Sequence, residues 1–333
     1  GRRPATQRGA FSGKQLELKL IIDDGDKRLG RLQIHLTYLP HEIEFVGLLV
    51  DTLRLELSQH WSRIDLLAKQ KFKDFEMVLE KTRTQIMSRF LADSVVDRFE
   101  DHRSMEENFK RVLSPRTVNA AIIQADIRGY SSISAALEPM QMIRILKMYF
   151  SEIVDTAQKL AQIKLIGDCI FMFIEEGNPN GPTSASDQAL FLVSYLVKVT
   201  ETQNRELEQA GFPLLNFGIA INYGQVVMGN LSSDNCIDYT VIGDNVNKVD
   251  RLEELTKHEA IQNTIGRNGT IISKAAAENM RQFAGSSFAS VTLSEIGAKV
   301  RSFEDIETVH YASAADILAA VENNSMSRDQ EAG

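Results

Sequence analysis

Two aspartates, each set where an apolar run meets a glycine turn, constrain the fold of this 333-residue chain more than any other feature. Val118 to Ala125 carries no charge before Asp126, and Gly129 follows, which reads as a buried strand ending in a turn. Lys164-Leu165-Ile166-Gly167-Asp168 closes a second apolar run and Cys169-Ile170-Phe171-Met172-Phe173 opens a third, so Gly167-Asp168 is expected to be the tight turn of a hairpin. Between them, Pro139 to Lys159 offers Met140, Ile143, Leu146, Met148, Tyr149, Ile153 and Val154 as the apolar face of a helix. A strand-helix-strand unit of this length can lay Asp126 and Asp168 side by side. Paired carboxylates on adjacent strand ends suit a hard divalent ion, because Mg²⁺ takes one or two carboxylates together with phosphate oxygens. The plainer alternative is that Asp126 caps the helix after Gly129 and Asp168 only makes a turn.

Composition narrows the class. With 43% hydrophobic residues the chain can bury a full core, and its length suits about two domains. A formal charge of −8 and a pI near 5.4 argue against nonspecific binding to nucleic acid or a membrane surface. Cys169 and Cys236 are too few and too far apart for a disulfide framework or a metal cluster, and read as small buried hydrophobes in a reducing cytosol. The longest apolar stretch, Phe45 to Leu57, is broken by Asp51, Arg54 and Glu56, so no transmembrane segment is expected. The chain opens on Gly1 without a Met, which suggests a processed or truncated start. A cytoplasmic location is expected, with an upstream sensor or membrane portion left open.

Taken in order, residues 1–14 are polar and aperiodic and are expected to be disordered. Over 15–41, Leu16, Leu18, Leu20 and Ile22 alternate with polar residues, then Leu32, Ile34, Leu36 and Tyr38 do the same around a turn holding Asp23 to Asp26 and Gly30. This hairpin is too small to fold alone and reads as the end of a sensory domain or an edge that pairs with another chain. Residues 42–114 read as helical throughout, and Ala68, Phe72, Phe75, Leu79, Thr82, Ile86 and Phe90 keep close to the 3.5-residue period of a two-stranded coiled coil. One apolar seam on so long a helix calls for a second copy, hence a parallel homodimer; two antiparallel helices within one chain, folding back near Leu57-Ser58, are the alternative. Ser114-Pro115 ends the helix. A domain of alternating strands and helices then spans 115–315, with a helix from Ser184 to Ala210, strands around Phe217 to Gly229, and a helix after Gly243; this is an α/β or α+β domain with a mixed sheet. The tail, 316–333, is expected to fray.

Asn247 and Arg251 share one face of the helix after Gly243, where a guanidinium suits a triphosphate or a developing phosphorane. Lys164 and Asp168 would align on one strand about 13 Å apart, too far to serve the same phosphate. Four blocks, Ala125-Asp126-Ile127-Arg128-Gly129-Tyr130-Ser131, Lys164 to Asp168, Gly218 to Gly224, and Ile242-Gly243-Asp244-Asn245-Val246-Asn247 with Arg251, together resemble the class III nucleotidyl cyclase catalytic domain, in order, from about Asn119 to Tyr311. The resemblance implies an α+β fold with a ferredoxin-like, palm-like mixed sheet flanked by helices. It implies that Asp126, Asp168 and the Ile127 carbonyl bind two Mg²⁺ (or Mn²⁺), and that Lys164 and Thr240 read the purine in the adenine-selecting combination. Asn247 would orient the ribose and Arg251 stabilise the transition state. Backbone amides at Gly129, Tyr130 and Ser131 could grip phosphates. In that family the aspartates of one subunit work with the Lys, Asn and Arg of the other, so a homodimer would hold two complete sites.

The chain departs from the family in Tyr130, where Phe is usual, and in Ser232 to Cys236, which is less glycine-rich; the late phosphate-contacting residue falls to Lys299 or Arg301. The expected reaction is ATP to cyclic AMP and pyrophosphate. The alternatives are a guanylate cyclase, to which Lys164 offers a donor where guanine needs an acceptor, and a catalytically silent dimerisation module. A diguanylate cyclase would want a Gly-Gly-acidic turn, whereas this chain has Ile166-Gly167-Asp168. Motion of the Phe72 to Phe90 seam is expected to set activity.

Overall fold

The computed structural model describes residues 14–24, 27–38, 43–99, 105–177, 180–232, 237–284, 288–303 and 306–331. Of the stretch 1–14 expected to be disordered, all but Lys14, which starts the first strand, lies outside the described residues, as does most of the Ser232 to Cys236 segment. The chain divides into two compact units, residues 1–82 and 83–333.

In the first unit, β1 (Lys14–Asp24) pairs antiparallel with β2 (Lys27–Tyr38), with Leu16 opposite Leu36, Leu18 opposite Ile34 and Leu20 opposite Leu32. Pairing reaches closer to the turn than expected, taking in Lys27 to Gly30 past a register shift between Ile22 and Asp23. The helix α1 (Ile43–Met87) is 45 residues long. Its seam faces solvent in the single chain: Phe72 and Phe75 are each 62% exposed and Leu79 58%.

The helix does not continue to Leu113. It stops at Met87, a turn covers residues 88–90, and only short helices follow, α2 (Asp93–Val96) and α3 (Met105–Val112). Phe90 therefore lies outside the helix that carries the seam. Burial is the reason: Met87, Leu91, Ala92, Val95, Val112 and Leu113 join one core cluster with Ile122, Phe173 and Val241, so their apolar spacing reports a globular core. Two glutamines fasten this entry segment. The buried Gln162 donates from Nε2 to the Phe90 carbonyl at 3.1 Å and accepts from the Ala92 amide at 2.8 Å, and Gln158 donates to the carbonyls of Ser88 and Leu91.

The second unit is built on β3 (Arg116–Ile127), β4 (Gln162–Ile166), β5 (Cys169–Glu175) and β6 (Phe217–Asn230), in the antiparallel order β4-β5-β3-β6. After β3 come the short α4 (Tyr130–Ala136) and then α5 (Pro139–Ala157); α6 (Ala185–Gln209) joins β5 to β6. That is the β-α-β-β-α-β order of a ferredoxin-like sheet. On β6, β7 (Tyr239–Ile242) pairs near one end and β8 (Thr270–Ile272) adds parallel, followed by β10 (Thr308–Ala312) and β9 (Ala289–Thr292), to give an eight-stranded mixed sheet in an α+β fold. Helices α7 (Asp244–Leu255), α8 (Glu259–Ile265), α9 (Lys274–Asn279) and α10 (Ala314–Glu331) complete the unit.

Each sheet face has its own core. Tyr149, Ile153, Leu190, Leu196 and Phe217 cluster with Ile170 and Met172 on one side, and Val249, Leu252, Phe171 and Phe173 on the other. The buried face of α5 differs from the expected one: Met142, Ile145, Tyr149, Ile153 and Ala157 are inside, while Met140 and Ile143 are 62% and 53% exposed. The 3- and 4-residue steps from Met142 make the continuous stripe, and Met140 and Ile143 fall outside it. Ser184 and Asp187 start α6 with a reciprocal capping box. Helix α10 runs through the tail to Glu331, with Ser313 and Asp316 capping its start and Ile317 fully buried, while residues 332–333 lie outside the described residues. Among the described residues no helix is long and apolar enough to cross a membrane.

Candidate active site

The hairpin turn and the end of β3 meet as the sequence pattern suggested. Asp126 pairs with Cys169 across β3 and β5, so Asp168, the residue before Cys169, comes alongside Asp126, within side-chain hydrogen-bonding reach. Gly167 makes the reversal possible: its φ of +64° is left-handed, a conformation glycine adopts without the Cβ penalty. β4 ends at Ile166, which corrects the expectation of Lys164 and Asp168 aligned on one continuous strand. Chain reversal at Gly167 carries Asp168 back toward β3, and Lys164 instead stands opposite Phe171.

Burial, followed by the charge of Asp126, pushes the Asp168 carboxyl above the usual carboxylate range. Two carboxylates this close resist being charged together, and a cation relieves them. Here that cation is Lys257, whose Nζ lies 3.0 Å from Asp126 Oδ2 and 3.0 Å from Glu253 Oε2. Neither Lys257 nor Glu253 was among the residues the sequence pointed to; a Glu-x-x-x-Lys pair near the end of a helix reads as an ordinary surface pair. Glu253 is in fact 2% exposed, and burial raises its carboxyl.

The Ile127 side chain is committed to the core at 2% exposure, so any ligand contact by this residue would fall to its backbone. Gly129, with φ +69°, precedes α4, and the first helical bonds run from the Ser132 and Ile133 amides to the Gly129 carbonyl, ahead of which stand the Tyr130 and Ser131 amides. The Tyr130 ring packs against the core. Cys169 carries a free thiol that burial, followed by the charge of Asp126, pushes up to about 12, so it stays protonated.

Lys164 forms an ion pair with Asp238, another residue the sequence reading missed, just ahead of Thr240 on β7, which pairs with Gly229. Asn247 is exposed on α7, with Val249 and Leu252 fully buried behind it, as the helical spacing predicted. Arg251 donates to Glu254 at 2.6 Å. It lines a cavity of about 400 Å³ with Glu254, Lys257, His258, Lys299 and Arg301. Both candidates for the late phosphate contact thus lie with Arg251 in a predominantly basic concavity.

The Asp126–Asp168 pair fits a divalent ion by its chemistry, and the Lys257 ammonium already stands in as a cation on Asp126. Among the described residues no group of three or more His, Cys, Asp or Glu side chains could hold a metal. An ion at two carboxylates would complete its shell from substrate oxygens and water, as Mg²⁺ does.

Residues 112–272, from the end of α3 through β8, match the family model of the adenylate and guanylate cyclase catalytic domain. An adenylate cyclase of Anabaena cylindrica is 36% identical over 144 residues, covering 42% of this chain and 28% of that protein. Retinal guanylyl cyclase 1 of Mus musculus is 23% identical over 208 residues, covering 62% of this chain and 18% of that one. The matched part therefore spans less than a third of either of these curated relatives. Among solved structures, a bacterial light-regulated adenylyl cyclase shares the fold with a TM-score of 0.53 at 19% identity, over 77% of this chain and 69% of that chain. With an aspartate pair at the strand ends and this sequence match running across the sheet that bears it, residues 112–272 carry the likeness of this chain to the adenylate and guanylate cyclase catalytic domain family.

Proposed function

We propose that the protein is an adenylate cyclase, converting ATP to 3′,5′-cyclic AMP and pyrophosphate at sites shared between two copies of the chain. The convergence of Asp126 and Asp168 at the β3 end and the β4–β5 turn carries this reading. Together with the Ile127 carbonyl, these carboxylates would hold two Mg²⁺ or Mn²⁺. When bound, such ions supply a lowered pKa for the ribose 3′-hydroxyl and charge neutralisation for the leaving pyrophosphate.

The chain's own residues do the rest. Lys164 and Thr240 of the partner copy would read the adenine edge, and Asn247 would hold the ribose for in-line attack of its 3′-oxygen on the α-phosphorus. Arg251 would offset charge growing on the α-phosphoryl oxygens. Lys299 or Arg301, beside Arg251, would meet the outer phosphates, while the Gly129, Tyr130 and Ser131 amides grip the triphosphate from the aspartate side. A two-fold dimer of identical chains then holds two complete sites. The exposed seam of α1 supports such pairing.

A guanylate cyclase is the second reading, and one observation favours considering it: the Asp238 carboxylate beside Lys164 offers the acceptor that guanine's N1 and N2 protons require. Cyclic nucleotide assays with ATP and GTP in parallel separate the two, and a GTP preference overturns the adenylate assignment. Asp126→Ala and Arg251→Ala should each be inactive alone. Mixed together they should regain activity through heterodimers with one intact site; a mixture that stays silent removes the shared-site reading.

A further inference from the structure

We propose that Lys257, anchored on the buried Glu253, is a resident counter-cation of Asp126 that a divalent ion must displace in order to bind. The inference rests on the reading of Asp126 as a metal ligand. Lys257 Nζ touches Asp126 and Glu253 at 3.0 Å each, with a side chain 50% exposed, whereas that of Glu253 is 2% exposed. The anchor is thus fixed and the lysine free to swing.

The strands are cut to admit this anchor. Gly218 lies opposite Asp126 in the β3–β6 register, and a Cβ there would come within 2.5 Å of Glu253 Oε1 and 2.3 Å of Thr256 Oγ1. Only a glycine leaves the space through which the end of α7 reaches the β3 terminus. Thr256 Oγ1 donates to the Glu253 carbonyl at 2.7 Å, and Arg128 donates to the carbonyls of Thr256 and Phe217, which fastens the same corner from the other side.

Charge sets the direction of the effect. One ammonium faces three carboxylates, those of Asp126, Asp168 and Glu253, so a dication is still attracted once Lys257 is in place. Leaving Asp126 costs Lys257 one of its two ion pairs, since Glu253 keeps hold of it. Lys257 therefore acts as a positioning residue: it holds Asp126 in place before the metal arrives and sets how much metal is needed to load the site.

Mn²⁺ binding to the full chain without nucleotide, followed by electron paramagnetic resonance, tests this. Lys257→Met should bind Mn²⁺ about threefold to fivefold more tightly than wild type, the scale of a partly exposed ion pair, while Lys257→Arg stays near wild type. On wild-type protein, acetylation of Lys257 by a water-soluble amine reagent should speed up at least about twofold as Mn²⁺ saturates, because the amine is released from Asp126. Unchanged or weaker binding by Lys257→Met overturns the proposal, as does acetylation that Mn²⁺ leaves unchanged or slows; the acetylation measurement decides alone if the Met variant does not fold. Asp126→Asn separates the two levels: if it binds Mn²⁺ as wild type does, the metal reading itself has failed, and if it loses binding while Lys257→Met matches wild type, only the counter-cation has.

Discussion

The long helix α1 and the sheet-bearing unit handle their apolar residues in opposite ways. In the sheet-bearing unit, Ile122 and Ile123 of β3, Tyr149 of α5 and Ile170 of β5 are wholly excluded from solvent, each within one of the two core clusters. Along α1, Phe72, Phe75 and Leu79 stand more than half exposed in a row with helical spacing. The first arrangement is complete within one chain. The second gains its hydrophobic free energy only when another surface covers it, at roughly 1.5–3 kcal/mol for each large side chain buried.

The contrast can be attacked at several strengths. Phe173→Ala, deep in the sheet, should lower the unfolding free energy by about 3–5 kcal/mol in urea titration; a loss of less than about 1 kcal/mol would mean that this core is not closed. If the proposed pairing through the seam holds, Phe75→Asp combined with Leu79→Asp should shift the chain from dimer to monomer in sedimentation experiments and reduce turnover at least about tenfold, yet leave the unfolding midpoint of the sheet unit in place; unchanged sedimentation and kinetics would remove the seam from pairing and regulation. Glu175→Gln should cost about 1–3 kcal/mol by leaving Arg98 and Arg116 without their carboxylate. Burial alone would raise the Glu175 carboxyl, but hydrogen bonds from Arg116 and Arg98 outweigh it and hold it below the usual range. Its stabilising contribution is therefore present above the unfolded-state pKa near 4.5 and lost as pH falls through the lower folded value, and acid titration of the Gln variant should lack that component. At the weak end, Asp65→Ala, which removes the exposed Asp65–Lys69 pair on α1, should change stability by no more than about 0.5 kcal/mol in thermal melts.

Local periodicity made the elements legible. Alternation over Leu16 to Ile22 and a glycine turn at Gly167 identified strands and a hairpin because both depend on neighbouring residues alone. The two aspartates were legible for the same reason. Residues 88–113 were not, since the spacing of Leu91, Val95 and Val112 suits a helix seam as well as a core, and only packing against Ile122 and Phe173 decides between them. Met140 and Ile143 misled in the same manner, being apolar yet outside the stripe that α5 buries. Lys257, Glu253 and Asp238 escaped because each acts through a contact far away in sequence: Lys257 reaches Asp126 across 131 positions and Lys164 reaches Asp238 across 74. Gly218 held a hint, a glycine inside an otherwise apolar strand, which marks a close approach of something else.

The two glutamine side chains that grip Ser88 to Ala92 turn the start of β4 into a lever's fulcrum. Gln162 is the first residue of the five-residue strand that presents Lys164 and leads into the Asp168 turn. A torque delivered to the peptide groups of Phe90 and Ala92 would thus be felt, through two hydrogen bonds and no intervening loop, at the strand that carries Lys164. Gln162→Leu should keep the sheet while slackening that transmission, so that, if the proposed cyclase activity holds, any stimulus arriving from the amino-terminal side alters turnover less than it does in the unsubstituted protein.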